Sequence, residues 1–254
     1  MDVSEATVLR VSFGNAERLH AVTADSLHSV ADAIERAGKD PQVRVIVLHG
    51  DERSFSAGAD LSGQEDPASS ATLDAVERLI HAIRDVPRPV VALARGAVAG
   101  VGVSIALAAD LVLSDENTYF LLAFTRIGLM PDGGATALVA ASIGRARAMR
   151  MALLAEKLSA RDAYRQGLIA GVYEMCSYDA RTTEIIGKLA TGPAAAYAET
   201  KRAINAATLD QLDGALEREA TAQVRLLGSN DFAEGVAAFY DKRSAVFRDQ
   251  PPVE

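Results

Sequence analysis

The stretch "PVVALARGAVAGVGVSIALAADLVLSD", residues 89–115, decides the fold. It opens with an apolar, β-branched run at 89–96 that reads as a buried strand, entered through a proline turn. A glycine-rich turn follows, and residues 100–110 are apolar almost throughout, which suits a helix buried on all sides. "DLVLSD" at 110–115 then reads as another short buried strand. Strand, turn, helix and strand in this order make a βαβ unit, and such units build parallel sheets.

The same grammar extends upstream. "ATVLRVSFG" at 6–14 alternates polar and apolar side chains as a half-buried strand does. Residues 23–38 place Leu27, Val30, Ala31 and Ile34 at helical spacing, with Gly38 as a stop signal. "VRVIVLHG" at 43–50 reads as a buried strand, and residues 72–84 as a helix. Downstream of residue 145 the rhythm becomes mostly helical, with Ser159 and Asp162 spaced as a capping box. Residues 193–247 read as two or three helices without a clear strand. We therefore expect an α/β core over residues 1–190 and a helical C-terminal region over 191–254.

Composition narrows the function. Hydrophobic residues make up 49% of 254, enough for a substantial core. A net charge of −8 argues against nucleic acid, which requires a basic footprint. The single cysteine, Cys176, excludes an intramolecular disulfide. No apolar run approaches the roughly 20 residues that span a bilayer, and no secretory signal is evident, so a cytoplasmic protein without membrane contact is expected. His20, His28, His49 and His81 lack metal-ligand spacing, so no metal is expected.

Chemistry is expected at three glycine-rich turns. "SFSAGADLSG" at 54–63 and "ARGAVAGVGVS" at 94–104 each follow a strand, and small residues there let a ligand approach exposed backbone amides. Two such amides aimed at one point stabilise charge on a carbonyl oxygen. Neither turn matches a nucleotide-binding spacing. In "RIGLMPDGGAT" at 126–136, Asp132 sits in a tight turn before an alanine-rich helix, either as that helix's N-cap or as a proton carrier.

"FSAGADL", "GAVAGVGVSIALAAD" and "RIGLMPDGGAT", in this order and spacing, resemble the crotonase (enoyl-CoA hydratase/isomerase) superfamily, and the likeness runs to the C-terminal "FYDKRSAVF". The resemblance implies an α/β fold with a spiral core of ββα units and C-terminal helices that build a homotrimer or a dimer of trimers. It implies an acyl-CoA thioester as substrate, with coenzyme A arriving on the substrate and no separate cofactor. By position, oxyanion amides come from Ala59 and Val101. Further substrate contacts fall on Ala57, Asp60, Leu61, Phe124 and Lys242, the last beside Arg243 in a basic patch for the CoA phosphates. Many members have glycine where Val101 stands, so a branched side chain is expected to crowd that loop.

The two glutamates of the family's hydratases correspond here to Ser104 and Phe124, neither of which is a carboxylate base. Asp132 matches the acidic residue with which the family's isomerases move a proton, so isomerisation of an enoyl-CoA is expected ahead of hydration or of silent acyl-CoA binding. Asp60 reads as a loop-amide acceptor, His81 as a surface or packing histidine, and Glu65 and Asp66 as polar loop residues near the acyl pocket. Arg18, His20 and Ala21 lie in the segment that lines the CoA path in the family.

Overall fold

β-Branched side chains crowd a helix but pack well on a pleated surface, so the valine-rich runs of the first half of the chain become strands. The computed structural model describes residues 7–62 and 71–249; Glu65 and Asp66 lie outside the described residues. The strands are β1 (Val8–Ser12), β2 (Val45–His49), β3 (Ser54–Ser56), β4 (Val90–Ala94), β5 (Ala97–Ala99), β6 (Leu111–Asp115), β7 (Tyr119–Leu121), β8 (Leu158–Ser159) and β9 (Gly171–Tyr173). The helices are α1 (Ala24–Lys39), α2 (Ala71–Asp85), α3 (Val101–Ala108), α4 (Ala135–Ile143) and α5 (Arg145–Leu154). They continue with α6 (Ala160–Gln166), α7 (Met175–Thr191), α8 (Ala194–Thr208), α9 (Leu212–Leu227) and α10 (Asn230–Asp241).

Two sheets result. The larger is parallel throughout, in the order β1-β2-β4-β6-β9. Side chains alternate across it with period two. Ile46 and Leu48 of β2 enter the main core with Leu27, Ile34 and Leu79 of α1 and α2, while Val45 and Val47 face Ile186 and Ala190 of α7. Both faces are dry, which is why these strands read as continuous apolar runs. The smaller sheet has the order β3-β5-β7-β8, parallel except for the β7–β8 pair.

Several boundaries differ from the sequence reading. Gly38 does not end α1; the helix runs on to Lys39, and a side chain at Gly38 would stand 3.1 Å from Val86. Ser159 caps α6 through the Asp162 amide (3.2 Å), but Asp162 answers with a side-chain contact to the Ser159 hydroxyl (2.7 Å), so the box closes between side chains. After residue 145 the chain is mostly helical, as expected, with β8 and β9 as short exceptions, β9 returning to the edge of the large sheet beside β6. No described helix is long and apolar enough to cross a membrane.

Helix α8 has no buried residue of its own but is fastened by Lys201. The ammonium donates to the Ile83 carbonyl (2.7 Å), the Arg88 carbonyl (3.3 Å) and Asp110 Oδ2 (3.0 Å). Asp110 also accepts the Val90 amide (2.7 Å), so one partly buried ion pair joins α2, β4 and α8. Breaking one side of a buried pair strands the other charge. Lys201→Met is therefore expected to lower unfolding stability by about 1–3 kcal/mol in denaturant titrations, since Asp110 keeps some contact with water.

Candidate active site

The three glycine-rich motifs meet because β3, β5 and β7 are parallel neighbours: the loops that leave their carboxyl ends must lie side by side. After β3 the chain is strapped to an earlier segment. The Val22 amide donates to the Gly58 carbonyl and the Asp60 amide to the Val22 carbonyl, both at 2.9 Å. In such a parallel bridge the residue between, Ala59, turns its own N–H away from Val22. After β5, Gly100 precedes the first turn of α3, where Val101 has no preceding helical turn to receive its N–H. Among the described residues neither the Ala59 nor the Val101 amide donates to any group.

Glycine lets these two turns touch. Gly58 has φ +99° and Gly100 has φ +54°, the left-handed region that side chains disfavour. A Cβ on Gly100 would stand 3.5 Å from Gly58 Cα, and one on Gly58 would stand 3.1 Å from the Ala99 carbonyl oxygen. Val101, expected to crowd that loop, has its side chain buried in the main core.

Asp132 comes from the third loop, and α3 fixes it. The Ser104 hydroxyl donates to the Asp132 carbonyl at 2.6 Å. Ser104 is one helical turn beyond Val101, on the same face of α3, so the turn is anchored about 5 Å along that helix from the Val101 amide. Gly133 and Gly134 have φ +65° and +79°, and a Cβ on Gly133 would meet Ser104 Cβ at 3.0 Å.

The cap of α4 comes from α9 and not from Asp132. The N-terminus of α4 is capped by Glu219, whose carboxylate accepts the Gly134 amide (2.6 Å), the Thr136 amide (2.9 Å) and the Thr136 hydroxyl. The Asp132 carboxylate caps nothing. Its Oδ2 accepts from Gln223 Nε2 at 2.8 Å, and Oδ1 is buried without a partner among the described residues. Asp132 is only 8% exposed, and burial pushes its carboxyl up to about 7, opposed by the Gln223 hydrogen bond and assisted by the Glu219 charge. It borders a narrow recess shared with Leu73, Val76 and Glu77 of α2 and Leu216 and Ala220 of α9.

The other expected residues take varied places. Ala57 is exposed on the loop, its amide bonded to the Leu19 carbonyl (3.0 Å). Asp60 accepts the Ser62 amide (2.9 Å) and pairs with Arg18 (2.5 Å). The Leu61 carbonyl receives the Tyr240 hydroxyl of α10 (2.7 Å), a contact with no sequence signal. Phe124 is buried in the main core at the start of a short 3₁₀ turn, Phe124–Ile127. Lys242 is exposed beyond α10 and forms no ion pair among the described residues, whereas Arg243 is held by Glu234 (2.5 and 2.8 Å). His81 contacts Asp213 of α9 (3.1 Å), and His20 is buried 3.4 Å from Asp51. No group of three or more His, Cys, Asp or Glu side chains suited to a metal occurs among the described residues.

Residues 3–250 match the enoyl-CoA hydratase/isomerase family model. The chain belongs to that family, the crotonase superfamily. Among its crotonase relatives, the "Probable enoyl-CoA hydratase" of Rhodobacter capsulatus is 39% identical, over 97% of this chain and 96% of that one. The 1,2-epoxyphenylacetyl-CoA isomerase of Escherichia coli is 35% identical, over 96% and 95% of the two chains. The crystal structure of an enoyl-CoA hydratase from Mycobacterium avium subsp. paratuberculosis superposes on this crotonase fold with a TM-score of 0.92 and 47% identity, covering 97% of each chain.

The raised Asp132 carboxyl carries a stability cost of definite sign. Between an unfolded value near 4 and a folded value of about 7, the folded state holds more protons, so stability falls as pH rises through that window and stays reduced above it. Asp132→Asn is therefore expected to stabilise the fold by about 2–4 kcal/mol at pH 8 and by little at pH 4, read from denaturant unfolding at both pH values.

Proposed function

We propose that this crotonase is an enoyl-CoA isomerase that moves a double bond with Asp132 as its sole proton carrier. The observation that carries the reading is the unpartnered, buried Oδ1 of Asp132 beside an oxygen already pinned by Gln223. The Ala59 and Val101 amides receive the thioester oxygen, and charge that builds there acidifies the α-carbon. Oδ1 removes a proton from one carbon of the acyl chain and returns it two carbons along, while the electron pair passes through the enolate. Nothing is added or lost. A carboxyl that titrates at about 7 is matched to both halves of such a transfer.

Hydration requires a second group to activate water. Ser104 commits its hydroxyl to the Asp132 carbonyl, and Phe124 is packed in the core, so neither supplies that base. The isomerase activity of the Escherichia coli relative supports an isomerase, and the Rhodobacter and Mycobacterium relatives, named as hydratases, keep hydration as the competing outcome. We place the coenzyme A phosphates near Lys242, and we propose a homotrimer or dimer of trimers. Leu153, Leu154, Ile204 and Phe239 on the later helices are more than half exposed, as a subunit interface would leave them in one isolated chain.

The test offers 3-enoyl-CoA and 2-enoyl-CoA to wild type and to Asp132→Asn, with products resolved by mass. Isomerisation leaves mass unchanged, and the variant is expected to lose at least about 100-fold in kcat/KM. Hydration, or isomerisation that survives the substitution, contradicts the proposal. In the wild type, kcat/KM is expected to rise with pH to a plateau above about 7, because the carboxylate must be unprotonated to accept the proton.

A further inference from the structure

Helix α9 reaches the site from more than 80 positions away in the chain. Its buried face carries Leu212, Ala215 and Leu216 and then two polar residues, Glu219 and Gln223. Each of these two is 1% exposed, and they lie one helical turn apart on the same face. Polar groups so deeply buried must be hydrogen-bonded, and every bond they make goes to the turn that carries Asp132. Gln223 holds three atoms at once: its Oε1 accepts the Met130 amide (3.2 Å), and its Nε2 donates to the Met130 carbonyl (2.9 Å) and to Asp132 Oδ2 (2.8 Å). Glu219 holds the far side of the same turn through Gly134 and Thr136.

We propose that Gln223 and Glu219 are positioning residues for Asp132: Gln223 pins Oδ2 so that Oδ1 alone is left to exchange a proton, and Glu219 fixes the turn while setting a negative charge behind it. The inference rests on Asp132 as the proton carrier and adds the groups that tune it. Their electrostatic effects on Asp132 are opposite in sign. The Gln223 hydrogen bond favours the carboxylate, whereas the Glu219 charge disfavours it. The other charged groups nearby are Glu77 of α2, which lines the recess, and Arg218 of α9, which acts on Glu219. Helices α3 and α4 contribute none.

The experiment compares Gln223→Met and Glu219→Gln with wild type by two readouts. One is the pH profile of kcat/KM for 3-enoyl-CoA isomerisation. The other is the Asp132 carboxyl titration, followed by ¹³C NMR on aspartate-labelled protein and assigned by its absence in Asp132→Asn. Gln223→Met is expected to raise the Asp132 midpoint by about one pH unit and to lower kcat about tenfold or more with KM little changed. Glu219→Gln is expected to lower the midpoint. Should Glu219→Gln fail to fold, Thr136→Val removes one donor that keeps Glu219 charged and is expected to lower the midpoint by a smaller amount. Midpoints that stay put, or that move in the same direction in both kinds of variant, overturn the proposal. If Asp132→Asn stays active, the functional reading fails, and the NMR midpoints still decide whether the α9 pair tunes this carboxyl.

Discussion

A carboxyl group held out of water costs free energy unless its surroundings are built to receive it, and the surroundings of Asp132 are arranged around that constraint. Its backbone is hydrogen-bonded to α3 through Ser104, one of its oxygens to α9 through Gln223, and the helix behind it is capped by Glu219. Two consecutive glycines in the left-handed region let the turn fit between those helices. Replacing either glycine would push a side chain into Ser104 and Val76 or into Leu212. The turn is thus fixed at three points by two helices while one carboxylate oxygen has no partner among the described residues.

The small sheet supplies the other half of the candidate site. Three parallel strands of three residues each are too short to contribute much stability alone, yet their alignment delivers three loops to one edge. Gly58 and Gly100 then set the first two loops against each other, and the Ala59 and Val101 amides on them donate to no group among the described residues. At Val101 the core takes the branched side chain, and the backbone N–H donates to no group among the described residues.

Much of this was legible in the sequence, for physical reasons. The strands at 45–49, 90–94 and 111–115 are buried on both faces and so read as unbroken apolar runs. The glycine turns were legible because few other residues tolerate their dihedral angles. The strands β3, β5 and β7 escaped because three residues show no period, and β9 because it is embedded among helices. Glu219 and Gln223 escaped because contacts across such a span leave no local trace. One signal did exist: both occupy the apolar stripe of α9, where a polar residue needs a buried partner. Tyr240 on the Leu61 carbonyl had no such signal, since an exposed tyrosine on a helix is ordinary.

The most direct measurement follows an isotope label through one turnover. A 3-enoyl-CoA deuterated at the α-carbon is converted in ordinary water, and the product is examined for deuterium two carbons along. If Asp132 alone carries the proton in a site closed to solvent, a share of the label well above background appears at the new position. Complete loss of label to solvent, or a product that has gained a water, would contradict transfer by a single buried carboxyl.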